Sequence, residues 1–232
     1  MAYELLKRKL LDLFRYNLQP RFEALHAEQI YQGIFIQQCR SRRIDEVFYP
    51  VGAAASYSLL YLLTRVISEL QVRHVLEMGS GQSTLLIDKL LPEGSTHLAH
   101  EQDADWAARI GGRLRRGQVK HSPLTQRTHD GHTYAGFSDL APMPFDLLLV
   151  DGPNGTDHLS RFDCVPLVAG HPGHEFIIIL DDASRPGERE TIAELGALLN
   201  RRGIDFKLNY LHGRNTQAVI TTPQFRAASY FF

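Results

Sequence analysis

The spacing of apolar residues changes once along the chain, near residue 70. Before that point it is helical. Leu5, Leu6, Leu10, Leu11 and Phe14 recur at three- and four-residue intervals, which predicts a helix that Pro20 interrupts. Leu25, Ile30, Tyr31 and Ile34 mark one side of a second helix from Phe22 to about Arg40, and SRRIDEVFYPVG, Ser41 to Gly52, reads as a connector. Leu59, Leu63, Val66 and Leu70 stripe a third helix. After it come short apolar strands at 74–78, 96–100, 118–122, 145–151 and 175–181. They alternate with helical segments starting at Ser83, spanning Asp103 to Arg115, and lying between Arg161 and Val168. Uninterrupted runs such as LLLV and IIIL suit strands covered on both faces, so the alternation predicts a doubly wound, mostly parallel α/β sheet. The tail breaks the rhythm: FKLNYL at 206–211 and QAVITT at 217–222, joined by HGRNT, predict an antiparallel pair and a total of seven strands. A helical N-terminal extension over 1–52 followed by one α/β domain over 53–232 is the expected organisation, with no internal repeat.

Composition narrows the classes without changing that picture. With 232 residues, 44% hydrophobic, the chain can bury a substantial core. Lys plus Arg number 25 against 26 for Asp plus Glu, so no nucleic-acid partner is expected. Cys39 and Cys164 lie far apart with no metal-type spacing, which suggests neither a disulfide nor a zinc site. The start MAYELLKRKL lacks a signal peptide's apolar centre, and no apolar run is long enough for a transmembrane segment; a cytoplasmic location is the expectation.

The chemistry centres on HVLEMGSGQSTLLI, residues 74–87, a strand leading through a glycine turn into a helix. Gly79 and Gly81 allow a sharp bend and close approach of a ligand to bare backbone. A dinucleotide fingerprint would require a third glycine where Thr84 stands, and Glu77 would repel phosphate but suit a cationic group. Glu101, ending the second strand, stands where a carboxylate takes ribose hydroxyls. A nucleoside with a cationic end and no phosphate satisfies these requirements, as S-adenosylmethionine does. The alternative is that Glu77 and Glu101 are strand-end surface acids.

VLEMGSGQST, the acid in HEQD, FDLLLVDGPNG and IIILDD together resemble the Rossmann-like class I S-adenosylmethionine-dependent methyltransferases, over roughly Val72 to Thr222. The resemblance implies that Glu77, Gly79, Ser80 and Gly81 line the methionine part. Ser83 and Thr84 then stand at the helix start, Glu101 holds the ribose, and His121, Ser122 and Leu124 lie near the adenine. Asp151 would complete the cofactor edge.

On the acceptor side, Asp151, Asp181 and Asp182 end neighbouring strands and could hold Mg2+ or another divalent cation. That arrangement is similar to the metal-dependent O-methyltransferases of the catechol and caffeoyl-CoA type. Two departures stand out: the pair is Asp-Asp where those enzymes have Asp-Asn, and Asn154 replaces their lysine base. Without an ion, Asp151 would cap a turn and Asp181 would bind the cofactor loop. The DGPNG and DDASRP segments and the VGAAASYSLL stretch also resemble bacterial methyltransferase-like proteins tied to glycan pathways, which implies a small-molecule or glycan hydroxyl as acceptor. Arg161 and Arg185 could clamp an anionic substrate or pair with Asp163 or Glu188. Asp151, Asp181 and His158 are the candidate catalytic residues. His129, His132, His171 and His174 lack a zinc framework, and Trp106 reads as helix packing. The N-terminal helices, with Lys7, Arg8, Lys9, Arg15 and Arg21, are expected to cap the active site. A homodimer contact or a membrane-surface contact are the other uses open to them. Methyl transfer to oxygen is the leading reading. A non-catalytic nucleoside-binding module and an NAD-dependent oxidoreductase are the alternatives.

Overall fold

The apolar runs at the centre of the chain become strands with both faces covered. In the computed structural model, which describes residues 2–140 and 143–232, these are β1 (His74–Met78), β2 (Thr96–Glu101), β3 (Gln118–His121), β6 (Leu147–Val150) and β7 (Ile177–Leu180). The tail supplies β8 (Lys207–His212) and β9 (Thr216–Thr221), and the seven strands lie in the order β3-β2-β1-β6-β7-β9-β8. All pairings from β3 to β7 are parallel, whereas β7 with β9 and β8 with β9 are antiparallel. This is the predicted mostly parallel seven-stranded sheet. The chain runs outward through β2 and β3, then returns to place β6 on the other side of β1, which opens a crevice at the C-terminal ends of those strands.

Alternation along each strand explains the two cores. Val75, Leu147, Leu149, Ile177 and Ile179 face one layer, built by α3 (Tyr57–Glu69) and α4 (Gln82–Leu90). Leu76, Leu148, Val150, Ile178 and Leu180 face the other, built by α6 (Cys164–Gly170) and α7 (Pro186–Arg201). Each such side chain, fully buried, contributes roughly 1.5–3 kcal/mol of transfer free energy. α5 (Ala104–Gly111) packs beside β2 and β3.

One expectation is corrected, and elements form in stretches not assigned from the sequence. Pro20 does not end the first helix. α1 (Ala2–Leu13) runs through a π-helical turn, Phe14–Leu18, into α2 (Gln19–Ser41), and a wide Gln19 N–H to Phe14 carbonyl bond carries the chain to Pro20 in the first turn of α2. The segment after β3 forms a second sheet, β4 (Leu124–His129) with β5 (His132–Phe137). It turns at Asp130-Gly131, whose φ angles of 47° and 81° are the left-handed pair that a two-residue hairpin requires. Finally, α7 and a 3-10 helix at Pro223–Tyr230 occupy stretches not assigned from the sequence; Pro186 starts α7 where its missing N–H costs nothing. Cys39 and Cys164 are both free and buried. Among the described residues no helix is long and apolar enough to cross a membrane.

The turns after β1 and β6 meet backbone to backbone. Gly79 has φ +92°, and a Cβ there would lie 3.0 Å from the Gly152 nitrogen. A Cβ on Gly152 would lie 2.6 Å from the Gly79 Cα. Neither contact can be relieved by rotating a side chain. Gly79→Ala and Gly152→Ala are each expected to cost roughly 2–4 kcal/mol in urea unfolding. Gly33→Ala, in α2 with nothing within 4 Å of the added carbon, should instead gain about 0.5–1 kcal/mol. Wild-type midpoints for the first two variants would refute the contact.

Candidate cofactor and transfer site

A cavity of about 400 Å³ opens at the C-terminal ends of β1, β2 and β6. Its floor is the turn from Gly79 to Ser83; Glu101, Gln102, Trp106 and Phe137 form one side, Asp151 to Asn154 the other, and Ala53 to Ala55 the rim. Of the cofactor residues expected from sequence, Gly79, Ser80, Gly81, Ser83, Glu101 and Asp151 are thus brought together.

Each is held for a local reason. The Glu101 carboxylate accepts from the Ser80 amide at 2.9 Å, the Ser80 hydroxyl at 3.0 Å and the Asp103 amide at 3.0 Å. A carboxylate has about four acceptor sites, so capacity for one further donor remains on Oε1. Gly81 differs from Gly79: its φ of 172° is ordinary extended backbone, and a Cβ there would meet nothing within 4 Å. Its lack of a side chain leaves cavity space open and relieves no clash. The Gly81 amide donates to the Thr84 hydroxyl at 2.8 Å, which accounts for Thr84 where a dinucleotide site has glycine. Thr84 itself is buried beneath the turn and does not line the cavity.

Glu77 is also outside the cavity. It shares the face of Val75, so strand alternation directs it under α4, where it is fully buried, accepts from the Ser83 hydroxyl at 2.5 Å and meets the His97 ring at 3.1 Å. Its charge faces the start of that helix, a favourable position for an anion. The residues expected near the adenine do not line the cavity either. His121 is exposed against the Gln102 carbonyl, Ser122 is buried against His100, and Leu124 opens the hairpin. Gln102 and Trp106 line the cavity beside Glu101. Trp106, read from sequence as packing, is 41% exposed, and its indole N–H donates to the Ser80 carbonyl at 2.9 Å. The available signal was Asp103, which caps α5 through the Trp106 amide at 2.8 Å and so sets the ring in the first helical turn after Glu101.

The rim directly follows the connector, whose end is fastened in place. Gln82 bonds both the amide and the carbonyl of Tyr49, and Arg214 donates to the carbonyls of Pro50 and Ala54, each at 2.7 Å. Glu28 of α2 accepts from the Tyr57 amide at 2.6 Å and the Arg214 amide at 2.9 Å. A strap stands where a helical cap is expected: among the described residues neither α1 nor α2 lines the cavity.

Beside the cavity, Asp151, Asp181 and Asp182 bring one oxygen each to within 4.8 Å of one another. The Arg161 guanidinium already stands among them. Its Nη2 lies 3.0 Å from Asp182 and 3.6 Å from Asp151, its Nη1 donates to the Asp181 carbonyl at 2.9 Å, and its Nε donates to the Pro153 carbonyl at 3.2 Å. The side chain is 4% exposed, and Leu159, Arg161 and Asp182 all hold left-handed φ angles of 45–60° to build this knot. Gln217 donates to Asp181 at 2.7 Å and Asn215 to Asp182 at 3.0 Å, which uses further carboxylate lone pairs. Three converging carboxylates suit a divalent ion, but a buried cation fixed in their midst does not. The metal assignment of Asp151, Asp181 and Asp182 is therefore not supported by the donor set. The substrate-clamp reading of Arg161 also fails, since its donors point inward; Arg185 pairs with Asp182 at 2.8 Å, and Asp163 pairs with Arg127.

Burial holds the Asp151 carboxyl well above the usual carboxylate range, reinforced by Asp181 and only partly offset by Arg161. Burial, then Asp182, raises Asp181 likewise. Burial alone would lower Arg161, but the surrounding carboxylates raise it further, so it stays charged. Of the candidate catalytic residues, Asp151 lines the cavity and Asp181 lies behind it. His158 is elsewhere: the loop after β6 turns it outward, 57% exposed, against Glu190 at 2.9 Å and stacked on His132.

No family profile matches the sequence, and no curated relative does. Solved structures do match. An O-methyltransferase from Bacillus cereus in complex with S-adenosylhomocysteine aligns over 87% of this chain and 100% of its own, at 12% identity and a TM-score of 0.57. TomG from Streptomyces achromogenes, an O-methyltransferase involved in tomaymycin synthesis and solved with S-adenosylmethionine, aligns over 87% and 98%, at 13% identity and a TM-score of 0.52. The chain has the Rossmann-like fold of class I S-adenosylmethionine-dependent methyltransferases, with O-methyltransferases among its structural neighbours.

Proposed function

We propose that this protein transfers the methyl group of S-adenosylmethionine to the hydroxyl of a small molecule or glycan. The observation that carries the reading is a single cavity that gathers the bare Gly79–Gly81 turn, the residual acceptor capacity of Glu101, the Trp106 ring and the Asp151 carboxyl. The bound nucleosides of the Bacillus and Streptomyces neighbours agree with it. When bound, S-adenosylmethionine supplies a methyl group already activated by its sulfonium. Glu101 takes a ribose hydroxyl, Trp106 offers a face to the base, and the open space at Gly81 admits the methionine portion. The protein's main contribution is to hold acceptor and donor in line. Asp151, through the carboxylate oxygen not turned to Arg161, accepts the proton leaving the acceptor hydroxyl; burial raises its proton affinity above that of an ordinary carboxylate, which makes its ionised form the stronger base. Arg161 supplies the fixed positive charge of the acidic knot, so no divalent ion enters the scheme.

Three outcomes test this reading. Calorimetric titration should show one-to-one uptake of S-adenosylmethionine and S-adenosylhomocysteine. Gly81→Val should weaken it about tenfold or more by filling the cavity while leaving the fold intact. No uptake at millimolar nucleoside rules the site out; uptake without methyl release on any cell-extract fraction favours a non-catalytic binding module.

Asp151→Asn should lower transfer to extract acceptors by about a hundredfold or more while raising the melting temperature at pH 7.5. The sign follows from linkage. A carboxyl whose native pKa exceeds its unfolded value binds more protons when folded, so its ionisation costs stability as pH rises from about 3.9. The variant's advantage should therefore fade on acidification toward pH 4, and an advantage that grows there contradicts the assignment.

Transfer should survive EDTA, and Mn2+ added to the protein should remain free by electron paramagnetic resonance. Stoichiometric Mn2+ uptake abolished by Asp182→Asn would instead restore the metal centre.

A further inference from the structure

The N-terminal helix leaves a face that the fold does not use. Every described side chain from Glu4 to Glu23 is exposed, and α1 makes its substantial contacts only with the π turn that continues it. Body contacts begin further along, at Glu28 and at Tyr31, Ile34, Phe35 and Cys39. At about 100° per residue, Leu6, Leu10, Leu11, Leu13 and Phe14 fall within one arc of about 160°. These side chains are 48–58% exposed. Together they form a continuous apolar strip.

We propose that α1 docks this protein onto an anionic lipid surface, lying flat with the strip in the acyl boundary. The proposal is independent of the transfer reaction. Charge selects this occupant over a second copy of the chain. α1 itself carries three basic residues against two acidic ones, and Arg15 in the π turn and Arg21 in the first turn of α2 extend that excess to five against two from Glu4 to Phe22, while the whole chain carries −1. Lys9 borders one edge of the arc, and Arg8 and Arg15 border the other. Lys7 falls inside the arc and lines an apolar groove with Leu6, Leu10 and Leu11. In a dry helix–helix seam that ammonium would be buried beside like charges. On a bilayer its stem lies along the apolar surface and its head reaches the phosphate level.

The test uses the full chain and two vesicle preparations, pure phosphatidylcholine and phosphatidylcholine with about one-third phosphatidylserine. Sedimentation should show uptake by the anionic vesicles only, reversed by high salt. Lys7→Glu with Lys9→Glu should lower the partition coefficient on the order of fivefold or more per residue. Leu10→Glu with Phe14→Glu should abolish uptake. Because all four side chains are exposed, nucleoside titration of each variant should match the wild type, separating loss of docking from loss of fold. Uptake by neither preparation, or equally by both, overturns the proposal. A two-chain mass by light scattering that Leu10→Glu reduces to one chain, without vesicle uptake, assigns the strip to self-association instead.

Discussion

The close approach of Gly79 to Gly152 is the constraint on which the site depends. It brings the turn after β1 into backbone contact with the turn after β6, so the bare glycine segment and the Asp151 carboxyl share one cavity. A side chain at either position would force the two turns apart. The two glycines of the first turn are thus not equivalent. Gly79 is fixed by the fold, through a left-handed backbone and a neighbour it would strike, whereas Gly81 is free of both restrictions and matters only for the space in front of it.

The acidic knot follows from the same convergence. Parallel strands β6 and β7 end side by side, which forces Asp151, Asp181 and Asp182 together under low dielectric, where they cannot all ionise cheaply. Arg161 relieves part of that cost, and to reach its place the chain accepts left-handed conformations at Leu159, Arg161 and Asp182. Strain and desolvated charge are therefore concentrated where a proton acceptor would be useful. Removing a carboxyl would be expected to strengthen the fold and weaken the chemistry.

How much of this was legible in the sequence depended on whether local pattern or long-range geometry decided each feature. LLLV and IIIL were legible as strands because both faces are covered and no polar position interrupts the run. β4 and β5 were not, since LTQRTH is largely exposed and its alternation is weak; the Asp130-Gly131 turn between two histidines was the available signal. Gly79, Glu101 and Asp151 were legible because each ends a strand at the active edge. Glu77 was misplaced although alternation alone, from its shared face with Val75, would have sent it beneath α4. Arg161 could not be placed from the sequence: its role arises from unusual backbone angles and from carbonyls at the ends of two strands, β6 and β7.

The strap over the cavity explains why α1 is left uncommitted. A cleft at a sheet edge needs a rim on the side away from the strands, and the N-terminal helices are the obvious material for it. Here Gln82, Arg214 and Glu28 fasten residues 49–58 across that position instead, through paired backbone bonds that no long helix could supply at a sharp bend. With the rim following directly from the connector, α2 needs to reach only as far as Glu28 to anchor it. The helical turns before that residue are relieved of any role in the core. An exposed apolar helix is costly to keep in water, so the strip on α1 is best understood as a surface retained for something outside the chain, and the lysine within it indicates a wet and anionic one.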